Sequence, residues 1–61
     1  MAGEPYFYVY RDAVGKWRWH LRSSSDIIAD SGQGYSTQYA CERGIAAVKR
    51  VAPLADVVHE S

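Results

Sequence analysis

Residues 16–22 read Lys-Trp-Arg-Trp-His-Leu-Arg, a strict alternation of apolar and basic side chains. A period of two fits a β-strand, because successive strand side chains point to opposite faces. Trp17, Trp19 and Leu21 therefore share one face. Lys16, Arg18, His20 and Arg22 share the other. Both tryptophans of the chain lie in this segment, so its apolar face is the expected centre of the core.

The preceding segment, Tyr6-Phe7-Tyr8-Val9-Tyr10-Arg11, is dense in strand formers. Phe7 and Val9 fall on one face; Tyr6, Tyr8 and Tyr10 fall on the other. Asp12-Ala13-Val14-Gly15 joins the two strands. Aspartate opens a turn by accepting backbone hydrogen bonds, and glycine closes it at positive φ. An antiparallel hairpin follows. Ser23-Ser24-Ser25-Asp26 is a polar turn, and Ile27-Ile28-Ala29-Asp30 a short third strand.

Ser31-Gly32-Gln33-Gly34-Tyr35 is a connection, and Ser36 or Thr37 a helix N-cap. From Thr37 to Ala52 the period becomes helical. Ala40, Cys41, Gly44, Ile45, Val48 and Val51 recur at three- and four-residue spacing. Gln38, Glu42, Arg43, Ala46, Lys49 and Arg50 fill the outer face, and Pro53 stops the helix. Gly44 costs ~1 kcal/mol relative to alanine in a helix. Its place on the apolar face points to a bulky neighbour, with Trp17 or Trp19 expected. Residues 56–59 are read as an edge strand or a tail.

The predicted fold is α+β: a three-stranded antiparallel β-meander (β-β-β-α) with one helix across its apolar face. Residues 1–61 form a single domain, with a core over 6–53 and terminal segments at 1–5 and 54–61. The expected core is Phe7, Val9, Trp17, Trp19, Leu21, Cys41, Gly44, Ile45 and Val48. A chain of 61 residues buries only ~60% of its unfolded surface, and domains this small use disulfides, metals or oligomerisation. One cysteine permits no internal disulfide. Cys41, His20 and His59 are too few and too scattered for structural zinc. Assembly remains, and a homodimer joined through strand pairing is expected, with the tail of one chain adding to the other.

A formal net charge of zero gives no bulk attraction to nucleic acid or membrane. No apolar run is long enough to span a bilayer. The opening Met-Ala-Gly-Glu-Pro has neither the basic nor the apolar region of a secretion signal, so a cytoplasmic protein is expected.

The chain resembles the DUF1508 family, also called UPF0339, of small YegP-like proteins from bacteria and archaea. The matching residues are Phe7-x-Val9-Tyr10-Arg11-Asp12 and Gly15-Lys16-Trp17-Arg18-Trp19-His20-Leu21. Ile27-Ile28-Ala29-x-Ser31-Gly32-Gln33-Gly34-Tyr35-Ser36 follows, then Ala40-Cys41-Glu42-x-Gly44-Ile45-x-x-Val48-Lys49 and Ala52-Pro53. The resemblance covers residues 7–53. It implies a β-β-β-α unit, present in tandem in some chains and expected to pair two chains in single-copy members. It implies no activity and no catalytic residue. Two positions depart from the family pattern. Ser24-Ser25-Asp26 stands where an Asn-Gly type of turn is usual, and Tyr8 where a charged residue is common.

Three surfaces deserve a functional reading. Tyr6, Tyr8, Tyr10, Arg18, His20 and Arg22 gather on the outer sheet face. Rings interleaved with cations suit single-stranded nucleic acid, through stacking and phosphate contacts. The same residues suit a protein interface, and zero net charge favours that reading. The Gly32–Gly34 loop leads into a helix start, whose free N–H groups attract anions. It lacks the lysine and the glycine spacing of a P-loop, so a plain turn and cap is preferred. Cys41 is expected as a buried, inert thiol. No catalytic grouping, metal or cofactor is expected, and the reading is a small non-enzymatic interaction module.

Overall fold

The structure is a computed structural model that describes residues 4–60. Strand β1 spans Tyr6–Arg11, β2 Trp17–Ser23 and β3 Asp26–Asp30. Helix α1 spans Gln38–Val51, and a 3-10 turn, Ala52–Leu54, follows it. The sheet is antiparallel in the order β1-β2-β3. The meander and single helix agree with the α+β expectation.

The first hairpin is built by Asp12. Its Oδ1 accepts from the N–H groups of Val14 (3.0 Å) and Lys16 (2.9 Å), the Asx turn that aspartate favours. Gly15 sits at φ 84°, which a side chain would strain. The resulting register sets Phe7 opposite Leu21, Val9 opposite Trp19 and Arg11 opposite Trp17. Tyr6, Tyr8 and Tyr10 oppose Arg22, His20 and Arg18. The two faces read from the alternation are therefore those of the folded sheet.

The second turn holds Ser24 at φ 56°, the left-handed region that glycine or asparagine normally fills. Serine takes this left-handed backbone at a cost. Beyond the turn, Ile27 opposes Arg22 and Ala29 opposes Leu21, so the ladder slips by one residue. This is a β-bulge, with Ile27 and Ile28 together facing one partner. The bulge breaks the inward alternation. Both isoleucines are more than half exposed, at 54% and 59%.

Helix α1 starts at Thr37, whose hydroxyl accepts from the Ala40 N–H at 3.0 Å. Lys49 and Arg50 occupy the last turn, where the helix dipole favours cations. The helix lies over β2 and β1 and, among the described residues, does not reach β3. Trp19 of β2 and Cys41 of α1 are buried between sheet and helix, with Phe7 edge-on to Trp19 at a ring separation of 5.3 Å. Phe7, Val9, Trp17, Leu21, Gly44, Ile45 and Val48 are only half-buried. Val51, placed on the apolar face by its spacing, is 49% exposed.

Two expectations are corrected. Gly44 makes room for Tyr35, not for a tryptophan: a Cβ at Gly44 would lie 2.5 Å from the Tyr35 hydroxyl. Tyr35 reaches this place because it bridges to Trp17, exchanging backbone bonds of 2.8 Å in each direction. Residues 56–59 form no strand in the single chain; Val57 and Val58 stand 84% and 88% exposed.

Candidate interaction face

The outer sheet face carries a compact aromatic cluster. The register puts His20 opposite Tyr8, and their rings stack at 5.2 Å and 22°. Tyr8 and Tyr10, two residues apart on one strand, stack at 6.0 Å. Tyr10 and His20 meet at 5.4 Å, tilted by 44°. Tyr8 is 52% exposed, while Tyr6, Tyr10 and His20 are half-buried. Ile27 and Ile28 add apolar area beside Arg22. Among the described residues, His20 Nε2 and Arg22 Nε are shielded from solvent and have no hydrogen-bond partner.

The cations of this face are less free than the sequence alone implied. Arg18 Nε donates to Asp12 Oδ2 at 2.6 Å, and that pair is shielded rather than fully exposed. The Arg18 hydrogen bond is the largest cause holding the Asp12 carboxyl below the usual carboxylate range. The Lys16 and Val14 N–H groups act in the same direction. Arg18 is in turn held protonated, above its ordinary value, by the hydrogen bond to Asp12. Asp30 pairs with His20 across the β2–β3 ladder. A stripe that reads as basic is therefore mixed in sign. Arg11, on the inner face, stacks over Trp17 at 5.3 Å and donates to the Gly15 carbonyl.

The Gly32–Gly34 loop is bound up in its own structure. The Gly32 N–H donates to Asp30 Oδ1 at 2.9 Å, and the Ser31 hydroxyl to the Gln33 carbonyl at 2.8 Å. Gly32 takes φ 70°. A Cβ at Gly34 would fall 2.6 Å from the Lys16 Cβ, so this glycine permits close passage beside Lys16, just ahead of β2. Asp30 also places a carboxylate where an anion would have to approach.

Cys41, on the inner face of α1, is wholly buried. Burial first, and the neighbouring Glu42 charge second, push its thiol above the ordinary value. It lies on the helix, whereas His20 belongs to the opposite sheet face. His59 lies in the exposed tail. No group of three or more metal-ligating side chains occurs among the described residues. No described helix is long and apolar enough to cross a membrane. Sequence reasoning missed the Asp12–Arg18 pair and the bulged isoleucines. The Asp12 to Arg18 spacing across a tight hairpin was the available signal for the first.

Comparison with known proteins agrees with this architecture. The family model described as "Domain of unknown function (DUF1508)" matches residues 12–58. A UPF0339 protein of Methanosarcina acetivorans is 40% identical over 52 residues, 85% of this chain and 90% of the relative. One from Treponema denticola is 34% identical, covering 95% and 97% of the two chains. The solution structure of a protein from Haloferax volcanii superposes with a TM-score of 0.88 at 42% identity. It covers 97% of this chain and 100% of that one. These relatives span bacteria and archaea and carry no assigned activity, and the chain belongs to the DUF1508 (UPF0339) family of unknown function.

Proposed function

We propose that the protein is a small, non-enzymatic cytoplasmic interaction module that works as a homodimer joined through strand pairing. One observation carries this reading. Among the described residues, full burial is confined to Trp19 and Cys41, while Tyr8, Ile27, Ile28, Leu54, Val57 and Val58 stand exposed. That distribution fits half of a shared core better than a finished one. Both outer strands have an open edge among the described residues, and open edges pair readily. The Tyr8–His20–Tyr10 face then remains available to a protein partner, since Tyr and Arg are enriched at interfaces.

Mass action supplies the test. A dimer unfolds at a temperature that rises with protein concentration, whereas a monomer's does not. A midpoint independent of concentration across the micromolar range contradicts the proposal.

A second reading, single-stranded nucleic acid on the same face, is favoured by the stacked and exposed Tyr8 ring. Stacking on such a ring contributes ~1–3 kcal/mol per base. The Asp12–Arg18 pair and Asp30 weigh against it by lowering the positive potential. Titration of a labelled single strand at low salt decides: binding that Tyr8→Ala weakens supports this reading, and no binding removes it.

A further inference from the structure

The outer sheet face is laid out in rows across the β1–β2 ladder. Tyr10 and Arg18 form one row, Tyr8 and His20 the next, and Tyr6 and Arg22 the last. Ile27 extends the last row on the β3 side, opposite Arg22. Neighbouring rows are two residues apart along each strand, about 6.8 Å. The rows differ in character. Tyr8–His20 is a stacked ring pair whose Tyr8 ring is half exposed. Tyr6–Arg22–Ile27 sets a cation between a ring and an exposed isoleucine. In the remaining row the cation is already engaged, because Arg18 is bonded to Asp12.

Arg22, unlike Arg18, is in no ion pair among the described residues. Its Nε is shielded from solvent and has no hydrogen-bond partner there, so the guanidinium lies against the sheet rather than out in water. A cation so placed has shed part of its hydration. It meets a carboxylate at a lower effective dielectric than a surface lysine does. Tyrosine and arginine side by side are also the residues that dominate interface energetics. A polyanion matches this face poorly. A phosphate chain needs several free cations, and here Asp30 sits across the ladder from His20. A single carboxylate near an apolar side chain complements the two rows.

From this layout we infer that the outer face takes an extended segment of a partner protein in which an apolar side chain and a carboxylate stand two residues apart. Such positions of an extended chain share one face and lie about 6.8 Å from each other, the spacing of the rows. Laid along the strands, the segment covers the Tyr8 and His20 rings with its apolar side chain. Its carboxylate meets the Arg22 guanidinium beside Tyr6 and Ile27. The inference rests on the protein-partner reading of this face and gives that partner its chemistry.

NMR titration of the isotope-labelled full chain with the peptide acetyl-Ser-Leu-Ser-Asp-Ser-amide tests it, with the same peptide carrying Asn for Asp as control. The expected result is a saturable set of shifts centred on Tyr8, His20 and Arg22. The control peptide should bind about fivefold more weakly, the loss of one partly exposed ion pair. Arg22→Gln should lose binding by a similar factor. Tyr8→Ser, which alters an exposed ring, should weaken binding while the spectrum stays that of the folded chain. Equal binding of the two peptides, shifts confined to another surface, or no saturable shift overturns this inference and leaves the protein-partner reading standing. An oligothymidine strand that shifts Tyr8, His20 and Arg22 where the peptide does not overturns that reading as well.

Discussion

The Tyr35 hydroxyl lies against the backbone of Gly44, leaving no room there for a Cβ. This contact ties the connection after β3 to the middle of the helix. It also explains why a helix of strong formers keeps a glycine on its inner face. Alanine would gain ~1 kcal/mol of helix propensity, but crowding a packed site costs ~1–3 kcal/mol. Gly44→Ala is therefore expected to destabilise the fold by about 1 kcal/mol net. Urea unfolding measures it. Tyr35→Phe in the same chain should return part of the loss, because the nearest atom is then the ring carbon 3.0 Å away.

Asp12 gives the fold an acid dependence of known sign. Its carboxyl is held below the ordinary value chiefly by Arg18, so its folded pKa is lower than its unfolded pKa. Its contribution is fully present above the unfolded value, about 3.9, and is lost as pH falls through the folded value. Stability measured from pH 7 downward should thus fall more steeply below about pH 4 in the natural chain than in Asp12→Asn. Equal slopes would show that Arg18 does not hold this carboxylate.

Ser24 occupies a left-handed backbone position without the residue suited to it. Ser24→Asn keeps a side chain while tolerating that region, and should raise stability by about 0.5 kcal/mol. Ser24→Gly should gain less than its relief of strain implies, because glycine loses more chain entropy on folding. Thermal unfolding of both variants checks the order.

Cys41 is expected to be unreactive in the folded chain. It is buried, and its thiol is displaced further from the thiolate form. A thiol-specific reagent should label it only as fast as the fold opens, with labelling accelerated by denaturant. Cys41→Ser places a hydroxyl in an apolar site and should cost about 1–3 kcal/mol.

Much of this fold is readable from particular residues. The alternation from Trp17 to Leu21 fixes two faces, and the Asp12 and Gly15 turn sets the register that brings Tyr8 to His20. The helix is readable from its spacing, its Thr37 cap and Pro53. Other features depend on meetings that no local pattern contains. Tyr35 sits in a connection, and only its pairing with Trp17 carries it beneath Gly44. Ile27-Ile28 reads as a plain strand, yet a one-residue bulge opposite Arg22 exposes both. The basic stripe is visible in sequence, whereas its partial neutralisation depends on Asp12 folding back to Arg18. The family resemblance is legible over most of the domain, and it conveys architecture without activity.

The central claim is that this chain completes its core with a second copy. Sedimentation equilibrium of the full chain at micromolar concentration tests it most directly. The predicted result is a particle of twice the 6.8 kDa chain mass. A folded particle of single chain mass, unfolding cooperatively at every concentration, would contradict it.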